Sequence, residues 1–314
     1  MGTWRHITCK RTGPGFWGCL LLVAALLVPS AGRAWDLEPR FLSPAPVGMN
    51  FAIVAYSYST GNVLLDKTLP IEGTEARLNA ISLGYARSID VFGLAGRISA
   101  AVPIARATWT GEVEGTDSST TRRGFGDPML IFAVDFVGAP ALKGAAFAGY
   151  HRKTIAGASL RVVIPVGQYD SSKLFNLSTG RWIFSPRLGI VRYAGSFVLE
   201  AYVSGWFFTT NENFYGGNTL AQQPMMAFQV HATYRFPRGW WAAVSFGQSF
   251  GGKTEVNGVE KDNSQTNNRL GATLAAPITA AHSLKLLYSS GVSTRAGADF
   301  DTVVLAWQYR WGGR

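Results

Sequence analysis

The sequence predicts an all-β protein, a single transmembrane antiparallel β-barrel of about twelve strands with a margin of two, behind an N-terminal signal peptide. Three observations predict it. From Met49 onward, stretches of about ten residues alternate apolar and polar side chains, as membrane strands do. The connections between those stretches alternate long and short. The last stretch, Phe300 to Trp311 (FDTVVLAWQYRW), sets Val303, Leu305, Trp307, Tyr309 and Trp311 on one face and Val304, Ala306, Gln308 and Arg310 on the other. An aromatic outer face opposite a smaller, more polar inner face is what a closing barrel strand needs.

At the N-terminus, Arg5, Lys10 and Arg11 precede an apolar run of 13 residues from Phe16 to Val28, then the small-residue stretch Ser30 to Ala34. This is the layout of a secretory signal, too short for the roughly 20 residues of a helical span. Cleavage is expected after Ala34, giving residues 1–34 as signal peptide and 35–314 as one barrel domain. Both cysteines, Cys9 and Cys19, fall in the removed part, so the exported chain has no thiol to form a disulfide. Its net charge falls from +10 to +6, spread along the chain rather than gathered into a nucleic-acid footprint. Beyond the signal, every apolar run is broken by charge, Pro or Gly, and a bilayer otherwise admits only closed barrels.

The twelve stretches lie near residues 48–59, 77–90, 92–104, 127–138, 157–167, 182–193, 196–209, 225–237, 239–250, 267–277, 281–292 and 299–311. Long connections are expected at 60–76, 105–126, 168–181, 210–224, 251–266 and 293–298, and short ones at Val91, Ala194-Gly195, Arg238 and Ile278 to Ala280. Such alternation puts long loops outside and short turns and both termini in the periplasm. Residues 139–156 fall where a short turn is expected, and stay open to three readings: a periplasmic helix, an inward-folded plug or a missed pair of strands. The loop Lys253 to Asn268 reads most simply as solvated. Trp240, Trp241, Tyr234 and Phe236 at one strand end, and Trp206, Phe207 and Phe208 at the other, match interfacial girdles.

Read in order, DLEPRFLSPAPVGMNF from Asp36, GFGDPML from Gly124, PVGQYDSSKLFNLSTGRW from Pro165, WFFTTNENFYGG from Trp206 and the stretch from His282 to Trp311 resemble the meta-pathway phenol degradation family of outer-membrane transporter-like barrels. The resemblance covers nearly all of Asp36 to Trp311. It implies an outer-membrane barrel associated with uptake of aromatic or other hydrophobic compounds, and carries no catalytic motif.

No cofactor, metal site or enzyme activity is expected. His151, His231 and His282 lack close metal-ligand spacing. Gly124-Phe125-Gly126-Asp127 opens a strand with no phosphate-binding helix behind it. His282 and Ser283 are adjacent on a strand and point to opposite faces, so they cannot pair as base and nucleophile. Asn176-Leu177-Ser178 matches a glycosylation acceptor, to which a bacterial outer membrane gives no role.

Strand parity turns Arg97, Asp135, Arg161, Arg187, Glu200, His231, Arg235, Lys285 and Arg310 inward. They either line a water-filled passage that selects solutes or pair among themselves to fill a small barrel. Trp109, Trp182, Phe214 and Tyr215 lie in or beside the external loops and are candidates for capturing a hydrophobic ligand. The expected partners are outer-membrane lipid and lipopolysaccharide, small hydrophobic or aromatic solutes, and the barrel-assembly machinery acting through Phe300 to Trp311. The expected function is passive uptake of small hydrophobic, aromatic compounds. Two alternatives stay open: a general or anion-favouring diffusion pore, and a structural or adhesive barrel acting through its external loops.

Overall fold

A strand whose side chains alternate apolar and polar must bury its polar edge groups against neighbours when it crosses lipid, and a closed ring of strands does so without a free edge. The computed structural model describes residues 37–64 and 71–313; the expected signal peptide and the bond after Ala34 lie outside the described residues. The strands, in order, are β1 (Met49–Leu64), β2 (Ile71–Val91), β3 (Leu94–Val113), β4 (Thr116–Phe125), β5 (Met129–Pro140), β6 (Thr154–Val163), β7 (Ile183–Ala194), β8 (Phe197–Phe208), β9 (Asn211–Phe214), β10 (Asn218–Gln222), β11 (Met225–Arg235), β12 (Trp241–Gly251), β13 (Thr254–Val256), β14 (Val259–Glu260), β15 (Gln265–Pro277), β16 (His282–Ser293) and β17 (Gly297–Gly312). One short helix, α1 (Gly144–Ala148), lies between β5 and β6.

Twelve strands close the barrel: β1, β2, β3, β5, β6, β7, β8, β11, β12, β15, β16 and β17, each antiparallel to the next. The ring is sealed by β1 against β17, in register from Met49↔Gly312 to Leu64↔Gly297. Each predicted stretch contains the middle of one of these strands. β4 is an extra strand, laid along the outer half of β3 from Ile104↔Phe125 to Val113↔Thr116. Residues 105–126, expected as a loop, are therefore a hairpin that raises the wall.

The wall is uneven. β2 has 21 residues, roughly 70 Å of extended chain, whereas β6 has 10, roughly 33 Å. A crossing needs about 9–11 residues, so the excess of β1 to β4 stands above the membrane on the external side. The expected single-residue turn at Val91 is the pair Phe92 and Gly93, with φ of 52° and 84°. Two residues at positive φ let a two-residue hairpin follow the strand twist, and glycine fills the second place without a Cβ penalty. Of residues 139–156, the first two end β5 and the last three begin β6; the connection between carries the five-residue helix α1, whose Phe147 is buried with the Arg152 guanidinium 5.1 Å from its ring centre.

Lys253 to Asn268 is more than a solvated loop. β13 and β14 form a hairpin there, and β13 pairs with β10 from the preceding external connection, giving a small sheet of order β14-β13-β10-β9. Backbone groups that would otherwise face water are paired across two loops, which the mixed polar sequence does not announce.

On the barrel proper the two faces separate as parity requires. Outward lie Tyr56, Ile81, Leu83, Phe132, Leu199, Phe228, Leu286 and Leu305, all exposed. Inward lie Ser57, Ser82, Gln229, Thr233, Thr273 and Gln308, all buried. The periplasmic girdle includes Phe197, Tyr234 and Phe236, with ring centres 5.0 and 4.8 Å apart in sequence order, and Tyr309 stacked on Trp311 at 5.3 Å. Trp206 and Trp241, expected in the girdles, instead point into the barrel at 2% exposure each. Their neighbours Phe207 and Trp240 take the outer face, because adjacent strand residues alternate.

Leu305 sits amid the lipid-facing band, paired with Leu286 and Tyr56. Leu305→Arg should destabilise the barrel by about 2–4 kcal/mol in lipid vesicles, while Leu305→Ala should cost clearly less. Denaturant unfolding monitored by tryptophan fluorescence checks this.

Candidate functional site

The middle of the barrel is filled by the chain's own N-terminal segment. Leu37 to Pro44 carry no regular structure, yet all eight are buried. Two prolines, Pro39 and Pro44, and no hydrophobic period keep the segment from forming a helix or strand, so its polar groups need partners from the wall. Glu38 bridges two arginines of the inner wall, pairing with Arg161 of β6 and Arg187 of β7. Glu200 of β8 accepts the Arg40 amide on both carboxylate oxygens, at 2.9 and 2.7 Å. The Tyr202 hydroxyl donates to Glu200 at 2.6 Å and accepts the Leu42 amide at 3.2 Å. Arg97 of β3 donates to the Phe41 carbonyl at 3.0 Å.

Apolar contacts complete the fit. Phe41 meets the edge of Tyr202 at 6.1 Å, and the Arg187 guanidinium lies 4.5 Å from the Phe41 ring centre. Arg40 lies over Trp241 at 5.5 Å and Arg161 over Trp206 at 5.7 Å. Gly189 leaves room for this packing: a Cβ there would stand 2.3 Å from the Tyr202 ring and 2.9 Å from Leu42. The segment leaves toward the periplasm, where the Val47 amide donates to Leu142 at 2.8 Å and the Gly48 amide to Ser88 at 3.0 Å.

The predicted inward residues divide into three groups. Arg161, Arg187 and Glu200 grip the segment directly, as does Arg97. Asp135, His231 and Lys285 are buried on the inner wall. Asp135 and Arg97 flank a residual cavity of about 20 Å³ beside Phe41 and Leu42, and His231 Nδ1 lies 2.7 Å from the Ser245 hydroxyl. Arg235 and Arg310 stand at the periplasmic rim, donating to the turn carbonyls of Gly195 and Ala280. The wall thus carries Arg97, Arg161, Arg187, Arg269 and Lys285 against Asp135 and Glu200 in its middle. Among the described residues, no group of His, Cys, Asp and Glu is arranged to hold a metal ion.

A second feature lies at the external mouth. A cavity of about 420 Å³ is lined by Trp109, Phe175 and Tyr215 with Arg122, Lys173 and several hydroxyls. Trp109 and Phe175 stack with ring centres 5.0 Å apart and planes at 13°. Arg122, on the inner face of β4, donates through Nε to the Phe175 carbonyl at 3.1 Å and so holds the backbone that carries that ring. Asp170 nearby accepts from the Ser172 hydroxyl and amide, and these bonds hold its carboxyl below the usual range. Below Trp109 an apolar cluster of Ala107, Ala105, Ala80, Leu78, Ala76 and Leu177 continues down the inside of β2 and β3.

Of the four predicted capture residues, the structure brings Trp109 and Tyr215 to this cavity. Trp182 stacks on Phe184 at 6.3 Å and is 42% exposed, a girdle residue rather than a cavity one. Phe214, half-buried in β9, is not among the lining residues. Sequence reasoning missed Phe175, Arg122 and Lys173, which lie in segments without periodicity, and Arg269, whose strand parity was sufficient to find it.

A family model described as "Putative MetA-pathway of phenol degradation" matches residues 58–307. The chain belongs to that family. Among solved structures, the COG4313 outer membrane channel from Pseudomonas putida F1 matches with a TM-score of 0.75 at 17% identity, over 88% of this chain and 100% of that one. The transport unit of the autotransporter AIDA-I from Escherichia coli gives 0.49 at 9% identity, over 89% and 94% of the two chains. The CymD monoaromatic hydrocarbon channel gives 0.36 at 8% identity, over 85% and 88%. None of the curated proteins matches the sequence. This member of the phenol degradation family has the fold of an outer-membrane channel, and its lipid-facing apolar band sets it in the bacterial outer membrane.

Glu38→Ala leaves two buried guanidiniums without their counter-charge, at a cost of about 3–5 kcal/mol to the docked segment. Hydrogen exchange should then speed at the Arg40 and Leu42 amides, which depend on docking, and stay slow in β6 and β7. Gly189→Ala should produce a weaker form of the same change by pushing Tyr202 off Leu42.

Proposed function

We propose that the protein is a passive channel for small hydrophobic, aromatic compounds, which enter at the external cavity and cross the lumen when the N-terminal segment shifts. The observation that carries this reading is the external cavity: about 420 Å³, walled by Trp109, Phe175 and Tyr215 and continuous with an apolar inner face. That volume falls in the range of about 300–1,000 Å³ that small ligands occupy, and aromatic walls with a few placed polar groups suit a planar apolar solute. The apolar track of Ala107, Ala105 and Ala80 supports onward movement, since small side chains leave width where larger ones would fill it. The family's description, which concerns phenol degradation, points to the same class of compound.

The Glu38 clip is the element that must yield. It joins the segment to β6 and β7 by charge, so a change at that point loosens the segment without opening the strand ladder, while the Glu200 and Arg97 bonds remain to be broken. An anion-favouring pore is the second reading, and the excess of wall cations favours it.

Uptake of radiolabelled toluene and phenol by cells lacking the protein, and by cells with it restored, separates the readings. Restoration should speed uptake of both, and Trp109→Ala with Phe175→Ala should lower it several-fold while leaving the amount of folded barrel unchanged. Uptake that is the same with and without the protein would sink the hydrophobic-channel reading. A reversal potential strongly biased to anions, with no effect of the two aromatic substitutions, would favour the second reading.

A further inference from the structure

The outer surface of the raised wall holds cations that the lumen does not explain. Arg106 of β3 and Arg123 of β4 stand directly opposite each other across the ladder, and both are exposed. Arg77 of β2, also exposed, lies one step further out, opposite Thr108. Like charges facing each other across antiparallel strands destabilise the pair. Among the described residues no carboxylate forms an ion pair with any of the three. On that face the ladder places Glu75 two residues beyond Arg77, and Asp301 of β17 level with Arg77 across Thr60, accepting from the Tyr288 hydroxyl at 3.1 Å.

The height of the cluster identifies what it meets. Counting from the periplasmic turn before Leu94, Arg106 is about 40 Å along a strand that rises some 3.4 Å per residue, or roughly 31 Å above the turn at a tilt near 40°. The apolar band of such barrels is about 25 Å tall, so the arginines stand just beyond its external edge. The three columns change character at that level. Ile98, Val102 and Ile104 lead to Arg106; Tyr85, Leu83 and Ile81 lead to Arg77; Phe132, Leu130 and Phe125 lead to Arg123. Apolar side chains therefore meet acyl chains, and guanidiniums meet the next layer out.

We propose that Arg106, Arg123 and Arg77 form a binding site for a phosphate of lipopolysaccharide in the outer leaflet. A phosphate between Arg106 and Arg123 replaces repulsion with charge-assisted, fork-shaped hydrogen bonds, the geometry for which arginine is suited. Arg122, next to Arg123, faces inward to the capture cavity, so the anchored hairpin is also one wall of that cavity. Lipid bound outside holds the hairpin that carries the ligand wall inside.

The test uses the full-length protein refolded in detergent, titrated with lipopolysaccharide, with enzymatically dephosphorylated lipopolysaccharide, and with phosphatidylglycerol, and read by native mass spectrometry and thermal unfolding. Wild type should bind the phosphorylated form at least tenfold more tightly than the dephosphorylated one, and Arg106→Gln with Arg123→Gln should remove that difference. In lipid-free detergent the double variant should unfold at a higher temperature than wild type, because repulsion is relieved; this arm also shows that the variant folds. Equal binding of both forms of lipopolysaccharide, unchanged selectivity in the double variant, or equally tight binding of phosphatidylglycerol would each overturn the proposal.

Discussion

The structure depends on one constraint: a backbone in lipid has no water to satisfy it, so the first and last barrel strands must find each other. β1 and β17 do so along their whole length, from Met49↔Gly312 to Leu64↔Gly297. Once that seam is closed, strand parity leaves no choice about where side chains go. Leu305 must face lipid because Val304 and Ala306 face the lumen, and one residue of slip would exchange the two sets along the whole strand. Closure also creates the second problem the chain must solve. Twelve strands enclose an interior that is too wide to fill with the small inward side chains Ser57, Ser82 and Thr273 alone.

The N-terminal segment fills that interior, and its chemistry is complementary to the wall rather than merely bulky. Arg161 and Arg187 are buried and close together, an arrangement that is costly unless a carboxylate stands between them. Glu38 supplies it. Glu200 is the reverse case, a buried carboxylate on the wall satisfied by the segment's Arg40 amide and by Tyr202. Wall and segment each hold a charge that the other completes, so the docked state is specified at two points on opposite signs. A segment anchored only by Leu37, Phe41 and Leu42 would have many equivalent positions.

The barrel was legible in the sequence because its signal is repeated twelve times, and each repeat is set by the same two solvents. What was not legible had no such repetition. β4 reads TDSSTTRRGF, without the alternating apolar face that marks a strand, because it stands above the membrane and borrows its pairing from β3. Glu38 stands in a stretch without periodicity, and its partners Arg161 and Arg187 are 123 and 149 residues away, a distance no local pattern spans. The inward arginines were found by parity, but parity gives a face and not a partner. Trp206 and Trp241 show the opposite error, where grouping aromatics by sequence neighbourhood overrode the alternation that correctly turned them inward.

These features bear on how a barrel of this kind opens. The wall is a poor gate, since parting two strands exposes a row of amides and carbonyls to lipid at several kcal/mol for each unsatisfied group. The segment is a better one. Two of its links are ionic, and its release would turn Arg161, Arg187 and Glu200 to the lumen, where water can solvate charge, rather than to lipid. Displacing the segment would leave every strand edge paired, and its cost would fall on side-chain interactions inside the lumen. The part of the protein fixed by the strand ladder is the part that touches the membrane; the part held by side-chain links is the part that fills the lumen.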